Sequence, residues 1–282
     1  MASLFFFFFF FCQLLSGLGR SFVAGAGQVP AMFVFGDSLI DPGNNNHLLT
    51  RAKANFRPHG IDFPEGTTGR FCNGGTLVDH LGYLLGLPLI PAFNNPDTHG
   101  IAILQGVNYA SAASGILNDT GENFYLYDLG VRKFLIVNIS PTGCIPNQLA
   151  AQESDTGACV ESVNLLVSHY NRKLKEMVDQ YNAQLKESTF LYWDAFSFGI
   201  NVIQNYANYG FKNQNTACCG GGKWKGQILC LPVFTPCQNR SEYVFWDPYH
   251  PTDAFNVIAS KDLYQGNLQA SFPRNVQQLV QS

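Results

Sequence analysis

The sequence predicts an α/β fold in which helices cover both faces of a mostly parallel sheet. Buried-strand patterns alternate along the chain with helical patterns, and this alternation favours parallel strands joined by helical crossovers. Of the 282 residues, 46% are hydrophobic and 13% are charged, so the chain can build a large core and is not of the disordered class. The sequence contains no internal repeat and no long linker, and we therefore expect a single domain.

Strand and helix patterns follow one another through the first half of the chain. An apolar run predicts a strand at 31–35, and a polar, glycine-rich stretch follows at 55–75. Residues 76–85 place leucines three or four positions apart, which is the spacing of an amphipathic helix. The apolar residues 107–110 then predict a buried strand that runs into a turn of small residues.

The longest helical pattern lies in the second half. Residues 160–186 predict a helix whose apolar side chains form one stripe. A strand is predicted before it at 134–139, the most continuous buried-strand pattern in the chain, and another after it at 190–193. A further helix is predicted at 195–206. The stripe of the long helix consists of Val163, Leu166, Val167, Tyr170, Leu174, Met177, Val178 and Tyr181.

The first 26 residues have the pattern of a secretory signal peptide. Residues 4–15 are almost wholly apolar and include seven consecutive phenylalanines, and small residues at 24–26 suit a cleavage site. The apolar core is short for a membrane span, although an uncleaved anchor is the alternative interpretation. We therefore expect a secreted protein whose domain covers residues 27–282, without stable membrane insertion after cleavage.

The cysteines agree with a secretory route. One of the eight lies in the leader, and the odd number that follows implies at least one unpaired thiol. Cys144 with Cys159, and a cluster between Cys218 and Cys237, are the predicted disulfides. Zinc is the alternative for the cluster, but no histidine lies near it. The sequons for N-glycosylation are at Asn118, Asn138 and Asn239.

The charge distribution limits the class of partner. The formal net charge is −3, and no run of lysine or arginine occurs. Nucleic acid is therefore not expected as a partner.

A serine follows the first predicted strand at a position suited to catalysis. The apolar run that begins at Phe33 breaks off at Gly36, and Ser38 comes two residues later. A strand that ends in a tight turn can present a hydroxyl at the rim of a sheet, where parallel sheets place their sites. The alternative is a strand end followed by a solvated polar turn at 42–46. A serine hydroxyl also needs a base and an oxyanion site.

A candidate base lies near the other end of the chain. Asp247 precedes His250 by three residues, and prolines at 248 and 251 make the segment a shaped turn rather than a helix interior. The carboxylate can bond to one ring nitrogen while the other nitrogen faces a serine. A solvated aspartate and histidine on a surface turn is the alternative, and the presence of Ser38 favours the catalytic interpretation.

Six blocks of this sequence resemble the plant-type GDSL esterase/lipases, a branch of the SGNH hydrolases. They occur in the order typical of that family and are spread over nearly the whole chain after the leader. Each block is modest alone, and together they are specific. They are 33–46 (FVFGDSLIDPGNNN), 106–111 (GVNYAS), 129–134 (LGVRKF), 141–146 (PTGCIP), 217–222 (ACCGGG) and 245–252 (FWDPYHPT).

The resemblance implies a three-layer α/β/α fold of the SGNH-hydrolase or flavodoxin-like kind and hydrolysis of carboxylic esters or lipids. On the pattern of the family, Ser38 is the nucleophile, His250 the general base and Asp247 its orienter. The oxyanion site combines the N–H of Ser38, a backbone N–H of the second block at Gly106 or Gly115, and an asparagine amide of a third block. This chemistry needs no metal ion or organic cofactor, and a small ester or lipid is the implied partner.

The family also has a signature block that none of these six segments matches. This block, called the third block here, reads Gly-x-Asn-Asp after a central strand and is absent from this chain. Several tens of residues separate the flanking stretches in the family, whereas here they meet between about 124 and 125. Asn118 and Asp119 do not replace the block, because no core strand leads into them. The missing strand lies beside the first strand in the family, so we expect the segment of Ser38 to lose a neighbour. The strand at 134–139 could close this gap.

Three interpretations follow for function. Intact Ser38, Asp247 and His250 favour a secreted ester hydrolase over a lipid- or carbohydrate-binding module on the same fold. The absent third block favours a catalytically impaired or inactive relative. We expect any hydrolysis to be weak and to favour short acyl chains.

Overall fold

The computed structural model describes residues 27–115, 127 and 130–282. The predicted signal peptide, the Asn118 sequon and the 124/125 junction lie outside these residues. Helices and short strands occur together, as expected for an α/β fold. The strands are β1 (Phe33–Val34), β2 (Val107–Asn108), β3 (Lys133–Val137), β4 (Thr189–Trp193) and β5 (Ser271–Phe272). The α-helices are α1 (Leu77–Leu84), α2 (Pro146–Ala151), α3 (Glu161–Gln184), α4 (Ala195–Gln204), α5 (Asp253–Gln265) and α6 (Val276–Val280).

The strands form two separate small sheets. In the first sheet β1 pairs in parallel with β2, and Phe33 lies opposite Val107. In the second sheet β3 and β4 are parallel, and β4 pairs antiparallel with β5. Among the described residues no ladder joins the two sheets. The strand predicted at 134–139 therefore does not close the gap beside β1.

Three predicted helices, α1, α3 and α4, are confirmed to within two residues at each end. At the start of α1, the Thr76 N–H donates to the Asp79 carboxylate at 2.8 Å, which caps the helix. The sequence analysis missed α2, α5 and α6. Helix α5 begins after Thr252, whose Oγ1 accepts a hydrogen bond from the Phe255 N–H at 3.3 Å. This cap fixes the chain directly after the turn at 245–251.

The strand β3 is more exposed than its sequence predicts. Its apolar run predicts a buried strand, whereas Val137 keeps 40% of its surface exposed and no residue of β3 is fully buried. The reason is its position at an edge of the second sheet, because β4 is its one neighbour among the described strands. Phe33 of β1 is 45% exposed for the same reason.

The long helix α3 matches its predicted range, but only part of the predicted stripe is buried. Val167 and Val178 are buried, while Leu166 is 70% exposed. Adjacent helical residues point about 100° apart, so Leu166 turns away from the line of the two valines. The apolar stripe predicted for α3 is therefore wider than the face of this helix that packs against the rest of the protein.

The main core lies between β4 and four helices. Fully or almost fully buried side chains come from β4 and from α1, α4, α5 and α6, and they include Leu191, Leu81, Val202, Leu263 and Leu279. Helix α1 lies between β1 and β2 along the chain, and α5 follows the turn that carries His250. Their packing against each other brings the two ends of the chain together.

Disulfides confirm the predicted bridges. They join Cys144 to Cys159, Cys218 to Cys237 and Cys219 to Cys230. Among the described cysteines, Cys72 is unpaired and buried. No cluster of side chains that could hold a metal ion occurs in the described part of the chain. A search of the same residues finds no helix that is long and apolar enough to cross a membrane.

Candidate active site

Ser38 lies just beyond the carboxyl end of β1, which ends at Val34. The turn that presents it is closed by Asp37. The carbonyl oxygen of Asp37 accepts the Ile40 N–H at 3.3 Å, and its carboxylate accepts the Leu39 N–H at 2.9 Å. Ser38 itself is half-buried, so the turn places its hydroxyl at the rim of the first sheet.

His250 links Ser38 to Asp247 across the length of the chain. Its Nε2 lies 2.8 Å from Ser38 Oγ. Its Nδ1 lies 2.8 and 2.9 Å from the two carboxylate oxygens of Asp247. An ionised carboxylate can only accept hydrogen bonds, so Nδ1 carries the ring proton and Nε2 is the acceptor for the hydroxyl. The structure therefore brings the three predicted site residues into one hydrogen-bonded chain.

The Asp247 carboxylate is buried and is held by its own turn. Its Oδ1 accepts the N–H groups of Tyr249 and His250 at 2.8 and 2.9 Å. Burial acts to raise the pKa of Asp247, but the charge and hydrogen bonds of His250 outweigh it and hold the pKa below its ordinary value. The carboxylate therefore stays ionised at neutral pH and fixes the imidazole ring.

Aromatic rings flank the imidazole of His250. The ring of Phe71 lies 5.0 Å from it between centroids, and the ring of Tyr249 lies 6.1 Å away. These rings limit the access of water to one side of the imidazole and restrict its rotation.

A second buried histidine, His59, lies behind this group. The Trp246 Nε1–H donates to His59 Nδ1 at 3.1 Å, and burial lowers the pKa of His59, so the ring is neutral near Asp247. The sequence analysis missed His59 and Phe71. Both lie in the stretch 55–75, which shows no strand or helix period that would mark a buried side chain.

Asp41 ties the loop after Ser38 to the second block. It is fully buried, and its carboxylate accepts the N–H groups of Gly43 and Asn44, both at 2.7 Å, and that of Ala112 at 2.8 Å. Burial raises the pKa of Asp41 in spite of these hydrogen bonds. One carboxylate thus holds the serine loop and the second block together.

The asparagines at 44 and 45 are interior residues rather than a solvated turn. The Asn44 amide donates to the carbonyl oxygens of Asn108 and Ala110, both at 2.8 Å. The Asn45 amide donates to the carbonyl oxygen of Ala112 at 2.9 Å. The polar run at 42–46 is therefore not a solvated turn, because its asparagines hold the second block beside the serine loop.

Gly106 is not placed to supply the predicted oxyanion donor. It precedes β2, at the amino end of the first sheet, whereas Ser38 lies past the carboxyl end of the parallel β1. Its N–H donates to the Ile103 carbonyl oxygen at 3.2 Å. Its φ is 113°, and a Cβ there would lie 2.6 Å from the Met32 carbonyl oxygen. The glycine at this position is explained by close backbone packing, which corrects its assignment to the oxyanion site.

The second block offers another backbone donor. Ala113 has a φ of 68°, in the left-handed region that usually selects glycine. Within the described chain, neither its N–H nor that of Ser38 is paired with an acceptor. Gly115, the other predicted donor, lies two residues further on and is exposed, as Ala113 is.

The asparagine amide at the end of β3 is already committed. Asn138 donates to the Tyr192 hydroxyl at 2.7 Å and to the Asp194 carboxylate at 2.8 Å. The Oδ1 atom of the same side chain accepts the Phe196 N–H at 3.0 Å. This amide therefore does not replace the asparagine of the absent third block.

The comparison with known proteins identifies the family. Residues 116–263 match the model of the family described as GDSL-like Lipase/Acylhydrolase. GDSL esterase/lipase At1g71691 of Arabidopsis thaliana is 39% identical over 91% of this chain and 87% of its own length. The chain belongs to the GDSL-like lipase/acylhydrolase family. GDSL esterase/lipases At5g08460 and At1g71250 of the same plant are both 38% identical, over 89% and 92% of this chain and 87% and 91% of their own.

Membership confirms the resemblance noted in the sequence, and by family this GDSL chain is a carboxylic ester hydrolase. The region that matches the family model contains Asp247 and His250, but it begins after Ser38. The alignment with At1g71691 leaves only 9% of the 282 residues uncovered, and so it must include Ser38 as well.

Proposed function

We propose that this chain is a secreted serine ester hydrolase that acts on small carboxylic esters or lipids. The observation that carries the proposal is the contact chain from buried Asp247 through His250 to Ser38, with 2.8 Å at each step. With Nδ1 protonated, Nε2 is free to take the serine proton, which a serine nucleophile requires.

In the proposed reaction, Ser38 Oγ forms a bond to the ester carbonyl carbon while its proton passes to His250 Nε2. The tetrahedral intermediate then collapses, and the alcohol leaves with that proton. A water molecule attacks the acyl-enzyme, gives one proton to Nε2, and releases the acid as the Ser38 hydroxyl reforms. Asp247 stabilises the imidazolium in both halves. One ester and one water thus give one acid and one alcohol.

The oxyanion support is the weak part of this site. We assign the N–H groups of Ser38 and Ala113 as donors, with Gly115 as the alternative to Ala113. The third donor of the family is an asparagine amide, and Asn138 does not supply it because its hydrogen bonds are used elsewhere. Loss of one oxyanion donor typically lowers turnover by about 10²–10³, so we expect slow hydrolysis.

We also propose that the two sheets are parts of one three-layer α/β/α fold that lacks an internal segment between about 124 and 125. The alignment with At1g71691 spans 337 positions, more than the 282 residues of this chain, so parts of that relative have no counterpart here. Among the described strands, β1 and β3 each have a neighbour on one side only, which supports the same interpretation. Sequencing the transcript across codons 124 and 125 should reveal an exon junction, and a continuous exon without deleted sequence would contradict it.

Secretion is supported by the leader pattern and by the disulfides. Asn239 is exposed and is the sequon that we expect to carry a glycan. Asn138 is 5% exposed with its amide in use, and so it should stay unmodified. Sequencing the amino terminus of protein recovered from the medium should place it near residue 27, and peptide mapping should locate the glycan.

The decisive experiment is hydrolysis of p-nitrophenyl butyrate by purified, monodisperse protein. Ser38→Ala should reduce the rate to background. Ser168→Ala, at an exposed serine of α3, is the matched control and should retain the parent rate. Full activity in Ser38→Ala would overturn the assignment. A folded parent protein that hydrolyses no ester would instead be an inactive relative or a binding module.

A further inference from the structure

A cavity of about 390 Å³ lies between the two sheets. Its lining comes from the turn that follows β1, from β3 and the residues after it, and from side chains of α1, α4 and α5. Leu135 and Val137 of β3 line this space, and so does Phe35 directly after β1. The volume falls within the range of about 300–1,000 Å³ that is usual for small-molecule sites.

One end of this cavity reaches the proposed catalytic residues. The residues on each side of Ser38 line it, and so do the residues on each side of His250. A group attached to Ser38 Oγ would therefore have the cavity directly beside it.

The chemistry of the walls selects an alkyl group. Leu135, Val137 and Ile139 line the cavity, and so does Trp193, which lies beside Val137 on β4. Asp37 is the one charged side chain among the described lining residues. Such walls offer no cation for an anionic head group and few donors for a sugar ring, whereas they can bury methylene groups.

We infer that this cavity binds the acyl chain of the ester, and that the enzyme prefers straight acyl chains of medium length. The inference rests on the proposed hydrolase function, because it places the acyl carbonyl at Ser38 and the tail between β1 and β3. Among the described strands, none joins the two sheets. The sequence alone predicts a preference for short acyl chains, and the cavity changes that expectation.

A chain-length series measures this preference. Burial of one methylene corresponds to about a fourfold gain in affinity. We therefore expect kcat/KM for p-nitrophenyl esters to rise by up to about fourfold per methylene from acetate to octanoate, and then to level off once the cavity is full.

A filling variant tests the location of the tail. Val137→Trp places a large ring in the cavity and should lower the octanoate-to-acetate ratio of kcat/KM by at least about tenfold, since it excludes two or more methylenes. The acetate rate of the same variant reports on its catalytic residues. Leu166→Trp on α3, at a position 70% exposed and outside the cavity, is the matched control and should keep the parent ratio.

A binding measurement separates this inference from the proposed function. Ser38→Ala protein should bind the uncharged ester methyl octanoate in a calorimetric titration, and the added Val137→Trp substitution should abolish that binding. If no ester is hydrolysed but methyl octanoate still binds in this pattern, the proposed function fails and the cavity assignment stands. If esters are hydrolysed with an unchanged ratio in Val137→Trp, or if methyl octanoate does not bind, the acyl-chain assignment is overturned. A change of oligomeric state in Val137→Trp without a change of ratio would indicate that a second copy fills the space.

Discussion

Replacing Asp247 with asparagine tests the proposed hydrogen-bond chain with little change of shape. One oxygen can keep the N–H groups of Tyr249 and His250, which now lie 2.8 and 2.9 Å from Oδ1. The amide nitrogen then takes the place of Oδ2, 2.9 Å from His250 Nδ1. Oδ1 also lies 2.8 Å from Nδ1, but this oxygen already accepts two backbone N–H groups. The amide N–H therefore donates to Nδ1, and the ring proton moves to Nε2, which faces Ser38 Oγ at 2.8 Å.

In that tautomer Nε2 cannot accept the proton of Ser38, and no carboxylate stabilises an imidazolium. The corresponding change in a well-studied Ser-His-Asp triad lowers turnover about 10⁴-fold, which is about 5 kcal/mol of activation free energy. We expect a fall of the same order here. The turn keeps its backbone hydrogen bonds, so the free energy of unfolding should change by no more than about 2 kcal/mol.

The assay is the initial rate of p-nitrophenyl butyrate hydrolysis at neutral pH, together with thermal unfolding of the same samples. Asp155→Asn is the matched control, because that side chain is 94% exposed and pairs with Lys223 at the surface. A loss of less than tenfold in correctly folded Asp247→Asn protein would refute the assigned role of the carboxylate.

Three further predictions concern stability. Arg70→Met should lower the free energy of unfolding by about 3–5 kcal/mol, because it leaves the buried Asp79 carboxylate, now held at 2.7 and 2.8 Å, without its partner; denaturant titration measures the loss, and Arg70→Met/Asp79→Asn should recover part of it. Replacing Cys144 and Cys159 by serine should cost about 3 kcal/mol, since the bridge closes a loop of 15 residues, and the same titration applies. Stability should decrease as the pH falls below 3.8, the ordinary aspartate pKa. The folded protein holds the pKa values of Asp79 and Asp247 below this value in spite of their burial, so in this range the unfolded chain binds more protons than the folded one. Melting temperatures in a series of acidic buffers measure the decrease.

Each of these stability predictions has an outcome that contradicts it. A loss below about 1 kcal/mol in Arg70→Met would mean that solvent reaches Asp79. An unchanged midpoint in the serine variant would show that the loop is ordered without its bridge. Constant stability down to strongly acidic pH would mean that the two carboxylates titrate alike in the folded and unfolded chain.

Short-range patterns in the sequence predict most of the features that depend on local structure. The range of α3 follows from its 3.6-residue period, and Ser38, Asp247 and His250 follow from two short blocks that carry their own turns. The burial of β3 does not follow in this way. Its apolar run predicts a covered strand, but cover depends on which strand lies beside it, and that information is in the rest of the chain.

Long-range partners explain the other differences. Asn44 and Asn45 look like a solvated turn until their acceptors, more than 60 residues away, are known. The assignment of Gly106 fails because a glycine pattern does not tell which end of a strand faces the site. Ala113 carries the backbone conformation expected of a glycine without being one, so no composition signal marks it.

The boundary between the two sheets has a consequence for cooperativity. The first sheet is held by two residue pairs between β1 and β2, whereas β4 lies between two strands and beneath the core helices. Local opening at the boundary would carry Ser38 away from His250 and leave β3, β4 and β5 folded. Amide hydrogens of β4 should then exchange far more slowly than those around β1. The time that the catalytic residues spend assembled would be governed by this sub-global equilibrium, and a melting temperature would not report it.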